Sequence, residues 1–184
     1  QEIRYTSPGG EDVDYIVGAY FQTADVDVTD YVPLGSFLAL AGPPVSLLVG
    51  TNWDRLYAQS SDMYSVFGQA DINLEGNWSL TLGARYSSED KDGSRSLTLN
   101  GKGTALDGSP LLPALWAGVL NVGPHNIAAS RSENSFDPMV RLSYDLSENS
   151  QMYVSYTQGS KAGGFDIRGN SIPGTPLVSS EGGF

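Results

Sequence analysis

The chain has 184 residues, a formal net charge of −11, no cysteine and one histidine. The acidic balance excludes nucleic acid, whose phosphates need clustered Lys and Arg, and a basic patch on an anionic membrane surface. The cysteine and histidine counts exclude a disulfide framework, thiol chemistry and a His-rich metal site, and 22 glycines with 10 tyrosines point to strands and turns.

At the start, QEIRYTS and DVDYIVGAYFQT flank a short turn, Pro8-Gly9-Gly10-Glu11. They predict a hairpin of strands at about 1–7 and 13–23. A link of residues 24–56 follows. It contains ADVDVTD, with Asp25, Asp27 and Asp30 close together. Oxygen-rich loops bind Ca²⁺, but the Gly and Glu of an EF-hand are missing here, which favours a solvated acidic loop. The link also contains FLALAGPPVSLLVG, too short to span a membrane as a helix and split by Pro43-Pro44.

The second predicted hairpin pairs 57–74 with 78–90. In MYSVFGQADINL, Tyr64, Val66, Ala70, Ile72 and Leu74 share a face, and Phe67 interrupts the polar one. Glu75-Gly76-Asn77 has the chemistry of a tight turn. WSLTLGARYSS is the clearest strand of all. Trp78, Leu80, Leu82, Ala84 and Tyr86 fall on one face, and Ser79, Thr81, Gly83, Arg85 and Ser87 on the other. Glu89 and Asp90 close it as surface charge with no positioned catalytic partner.

A second long link, residues 91–134, carries LLPALWAGVL. Trp116 and its Leu neighbours there either form a short helix lining a ligand pocket or pack the loop on itself. The third hairpin pairs 135–146 with 151–161 through Ser147-Glu148-Asn149-Ser150. Phe136, Pro138, Val140, Leu142, Tyr144 and Leu146 make its apolar face. Met152, Val154 and Tyr156 continue it. Gly159-Ser160-Lys161 is not a phosphate loop, because the spaced glycine and the following helix are missing.

Strict alternation fits either a soluble antiparallel sandwich or a membrane barrel. Three features favour the barrel. The turns within hairpins are short and the links between them long, as in bacterial outer-membrane barrels. Aromatic residues (Tyr15, Tyr64, Trp78, Tyr86, Tyr144 and Tyr156) sit on the apolar face, toward strand ends in the clearest cases, Trp78 and Tyr86. Arg85 and Arg141 fall on the polar face, away from lipid.

Residues 153–166 read YVSYTQGSKAGGFD, an aromatic-alternating strand running into Lys161-Ala162-Gly163-Gly164-Phe165. This resembles a signature of the barrel of TonB-dependent outer-membrane receptors. QEIRYTSPGG with DYIVGAYFQ, SVFGQADINLEGNWSLTLGARYSSEDK, and SFDPMVRLSYDLSENSQMYVSYTQGSKAGGF resemble successive hairpins of the same family, in order. The resemblance implies an all-β fold: a fragment of a transmembrane antiparallel β-barrel, about six strands in three hairpins, roughly a quarter of a ~22-stranded barrel. It implies a receptor in the outer membrane of a Gram-negative bacterium, and no enzyme. Its partners would be outer-membrane lipid, a scarce small ligand, and the TonB complex acting through a plug domain. By family frequency that ligand is a ferric siderophore. No cofactor is expected. Residues 1–184 are expected to be barrel alone, without the plug and with both ends cut. Gly163 and Gly164 are expected to permit a sharp turn where the strand becomes an extracellular loop, with Lys161 near the rim. A porin-like channel and a soluble β-sandwich binding module are the alternatives.

Overall fold

The computed structural model describes residues 1–166 and 169. Six strands form one sheet in the order β1-β2-β3-β4-β5-β6. They are β1 (Glu2–Thr6), β2 (Val13–Pro33), β3 (Asn52–Asn73), β4 (Trp78–Asn100), β5 (His125–Ser147) and β6 (Ser150–Thr157). Two short 3₁₀ helices, Ser36–Ala41 and Val45–Leu48, follow β2. One α-helix, α1 (Leu111–Leu120), precedes β5. Among the described residues no helix is long and apolar enough to cross a membrane, which leaves crossing by strands untouched.

The meander comes from turn chemistry. Gly76 and Asn77 both hold positive φ, 75° and 69°, a conformation glycine and asparagine tolerate best. The Leu74 amide then bonds the Trp78 carbonyl at 2.8 Å. β1 and β2 are antiparallel, with Ile3 opposite Ala19 and Tyr5 opposite Val17. β5 and β6 are antiparallel, with Leu142 opposite Val154 and Tyr144 opposite Met152.

Strand lengths correct the sequence expectation. Nearly half of the expected 24–56 link is strand, because β2 continues to Pro33 and β3 begins at Asn52. Likewise β4 runs to Asn100 and β5 starts at His125, so the second link shrinks to residues 101–124. In these extensions the face of the apolar band turns polar, and the alternation that remains, in ADVDV (24–28) and SLTLN (96–100), places its apolar residues on the opposite face. β6 errs the other way: it ends at Thr157, not near 161.

The described chain divides into two compact units. The first comprises Gln1–Ala24, Ser61–Lys91 and Arg131–Gly163. The second comprises Asp25–Ser60, Asp92–Ser130 and the described residues from Gly164.

The first unit is a two-faced wall. Ring contacts tie one face together across neighbouring strands: Tyr5 with Tyr15 (6.1 Å), Phe21 with Tyr64 (4.9 Å) and Trp78 with Tyr144 (4.7 Å). Val17, Val66, Leu82 and Val140 stand exposed between these aromatics. This apolar run covers residues 13–21, 64–74, 78–86 and 136–146. Beyond it the same face turns polar at Thr23, Asp62, Ser88 and Asn134. Nine to eleven residues per strand give about 26–33 Å of strand, or about 20–25 Å once tilted by ~40°. A transmembrane β-strand needs that length.

The second unit has a small conventional core. Leu48, Leu97, Leu106, Leu112, Trp116 and Val122 are buried together, with Leu34, Trp53, Leu99, Leu115 and Val119 packed around them. The core forms because α1 and the second 3₁₀ helix lay apolar side chains onto odd-numbered positions of β3 and β4.

Candidate functional site

Every arginine of the six strands lies on the face opposite the apolar band: Arg4, Arg55, Arg85, Arg95, Arg131 and Arg141. The apolar face of β2 to β5 carries neither Lys nor Arg along its whole length. A guanidinium at mid-bilayer costs ~2–4 kcal/mol, whereas one facing water costs little.

In the first unit the polar face is knitted by these groups. Arg85 Nη2 donates to Ser65 Oγ (2.8 Å) and Nε to Ser87 Oγ (3.2 Å), and its guanidinium lies 5.9 Å from the Tyr20 ring centroid. Arg141 stacks on Tyr153 at 4.2 Å and bonds Ser143 and Gln151. Thr81 donates to Asp71 at 2.6 Å. Phe67, the apolar interruption of this face, fills the space over Gly18, where an added Cβ would stand 2.5 Å from its ring. Met139 covers Gly83 in the same way, at 3.2 Å. Both large side chains sit over glycines, so they are packed and not stray.

The second unit holds a buried polar cluster. Arg55 and Arg95 are 8% and 5% exposed and Tyr57 is 3% exposed. Arg55 is ion-paired with Asp30, its Nε 3.1 Å from Oδ2. The Tyr57 hydroxyl donates to Gln59 Oε1 at 2.6 Å. Arg95 donates through Nε to His125 Nε2 (3.2 Å) and through Nη1 to the Asp166 carbonyl (2.7 Å). His125 Nδ1 meets the Gly123 carbonyl at 2.8 Å, which fixes the neutral tautomer with its proton on Nδ1. Burial lowers the His125 pKa first, the Gly123 carbonyl raises it, and Arg95 and Arg55 lower it further. Burial raises the Tyr57 phenol. Buried and engaged by fixed partners, the forked guanidiniums and the phenol cross-link the interior of this unit. They have no nucleophile–base pair for covalent chemistry.

The positions singled out from sequence resolve as follows. Asp25, Asp27 and Asp30 lie on strand β2, not in a loop. Alternation puts Asp25 and Asp27 on one face and Asp30 on the other, where it pairs with Arg55, so the three cannot converge on one cation. Among the described residues no cluster of His, Asp or Glu is arranged to hold a metal. Trp116 is fully buried in the core, edge-on to Trp53 at 5.4 Å. It packs the loop on itself and lines no open pocket. Glu89 is ion-paired with Lys91 at 2.9 Å.

Gly163 and Gly164 do not make a left-handed turn, since neither has positive φ. Gly163 instead lies close beside a side chain: a Cβ there would stand 2.5 Å from Arg131 Cζ, so the guanidinium would have to shift. The buried cluster of Arg55, Tyr57, Arg95 and His125 was missed from sequence. Its signal was the odd-numbered spacing of Arg55 and Tyr57, which straddle the expected boundary between the 24–56 link and the 57–74 strand.

No curated protein matches the chain. Among solved structures, the ferric yersiniabactin uptake receptor FyuA from Yersinia pestis shares the fold, with a TM-score of 0.64 at 12% identity. The match covers 93% of this chain and 22% of that receptor, so the chain spans about a fifth of its length. The family model described as TonB dependent receptor-like, beta-barrel, matches residues 3–182. With its one apolar band and its arginines confined to the opposite face, the chain belongs to the TonB-dependent receptor β-barrel family.

Proposed function

We propose that this chain is a six-stranded section of the wall of an outer-membrane receptor that takes up a scarce ferric chelate, most simply a ferric siderophore. The segregation of the two faces carries this reading: a 9–11-residue apolar band toward lipid and arginine-rich side chains toward the lumen. Residues 3–182 match the barrel part of the family, so the plug and the segment engaged by TonB belong to another part of the receptor. The similar fold of a receptor named for ferric yersiniabactin uptake supports a ferric chelate as cargo. The protein moves its ligand without covalent chemistry and acts as no enzyme.

The test is uptake of radioactive iron supplied as a panel of ferric chelates, in cells with and without the complete receptor gene. Receptor-dependent accumulation that collapses when the proton gradient is dissipated is the expected result. Accumulation of a non-ferric solute that persists without the gradient would replace the reading with a passive channel.

A further inference from the structure

β6 stops at Thr157 because of a residue in β5. Met139 pairs with Thr157, so Gln158 comes opposite Pro138. The Gln158 amide donates to the Pro138 carbonyl at 3.0 Å. Proline has no N–H to return, and the ladder ends there.

From that point the backbone is held by side chains instead of by a strand. Ser160 donates to Asp137 Oδ1 at 2.7 Å. The Gly163 amide donates to Glu133 Oε2 at 2.7 Å, and its carbonyl accepts from Lys91 Nζ at 2.8 Å. Asp137, Glu133 and Lys91 all belong to the polar face, so residues 158–163 lie against that face. A cavity of about 520 Å³ is lined there by Arg85, Ser87 and Ser135 from the wall and by Ser160, Lys161 and Ala162 from this segment.

We propose that residues 158–163 are a strap on the lumen wall, latched by Lys91 and Glu133, that alternates between a docked state covering this cavity and a released state opening it. The segment has no regular secondary structure. It buries no large apolar side chain, and its side-chain anchors are the three polar bonds to Asp137, Glu133 and Lys91. Such segments open with low free energy while the surrounding sheet stays intact. A side chain at Gly163 would push aside the Arg131 guanidinium, which is paired with Glu133, the carboxylate that holds the Gly163 amide.

The test uses the complete receptor in outer-membrane vesicles, with a single cysteine introduced by Ser135→Cys on the cavity wall and any other cysteine removed. The rate of its modification by a small methanethiosulfonate reagent is measured in three backgrounds: otherwise unchanged, with Gly163→Ala, and with Lys91→Met. The expected result is slow modification in the first and an acceleration of roughly tenfold or more in both others, as the opening equilibrium shifts. Retention of the heat-modifiable folded barrel on gels shows that release is local, and Lys91→Met, which adds no clash, stands in if Gly163→Ala fails to fold. Equally fast modification in all backgrounds overturns the cover, and equally slow modification overturns the release.

Discussion

Replacing Trp116 by Ala and, separately, by Phe separates packing from recognition. Trp116 is fully buried among Leu48, Leu97, Leu106, Leu112 and Val122. Truncation of such a residue costs about 3–5 kcal/mol through lost transfer energy and the cavity left behind. That raises the population of the locally opened second unit by roughly 10²–10⁴-fold. The Phe variant behaves differently. Among the described residues the indole N–H of Trp116 has no hydrogen-bond partner, and an unsatisfied buried donor costs about 1–3 kcal/mol. Phe removes that donor, which offsets most of the lost ring area, and W116F stays within roughly 1 kcal/mol of the parent. The assay is limited proteolysis of the complete receptor on intact cells, in the regime where cleavage follows the opened population. Cleavage within residues 101–124 accelerates strongly in W116A and little in W116F. If W116F is as labile as W116A, the indole N–H has a partner and the packing account of Trp116 is wrong.

Three further outcomes follow from the same geometry. Leu82→Arg, at the middle of the apolar band, destabilises the folded barrel by ~2–4 kcal/mol, whereas Thr81→Arg on the opposite face costs much less. Urea titrations in detergent that give equal losses would contradict the assignment of faces. Gly18→Ala drives a methyl group into the Phe67 ring and to within 2.9 Å of the Ile3 carbonyl, a loss of about 1–3 kcal/mol; adding Phe67→Leu recovers part of it in the same titration, and no recovery would remove Phe67 as the cause. The third concerns pH. The His125 pKa is lowered from 6.5 in the folded protein, so the unfolded chain binds the proton more readily. The contribution of the neutral ring is therefore complete above about pH 6.5 and is lost as pH falls toward the lowered value. Protonation also removes the Nε2 lone pair that accepts from Arg95. Proteolysis of the second unit should quicken between pH 7.5 and pH 5, and His125→Asn should flatten that profile; an unchanged profile in the variant would assign the acid sensitivity elsewhere.

The sequence was most legible where chemistry differed across the sheet. In residues 64–74, 78–86 and 136–146 one face meets lipid and the other water, so alternation names the strand, its faces and its turns. Along residues 25–33, 52–60, 88–100 and 125–134 both faces carry polar or small side chains over long stretches. Backbone hydrogen bonds keep those stretches extended without a continuous apolar face, so the sequence reading ends the strands early and assigns residues 24–56 and 91–134 to links. The buried cluster was hidden for the same reason. Arg55 and Arg95 are ordinary surface residues by composition, and only the pairing of β3 beside β4 and the arrival of His125 bury them. Trp116 was visible as part of an apolar helix, but its burial depends on Leu48 and Leu97, distant in sequence. Gly163 shows the limit most sharply. A glycine pair suggests a turn, while in the structure the Gly163 backbone runs close beside the Arg131 guanidinium.

The central claim is that residues 78–86 cross the membrane with even-numbered side chains toward lipid. The direct measurement is a single-cysteine spin-label scan of these nine positions in the complete receptor in bilayers, comparing collisions with oxygen and with a water-soluble nickel chelate. The account predicts strict alternation, with Trp78, Leu80, Leu82, Ala84 and Tyr86 favouring oxygen and the intervening positions favouring the chelate or shielded from both. Nickel accessibility at Leu80, Leu82 and Ala84 equal to that at Thr81 would contradict it and take the sheet out of the membrane.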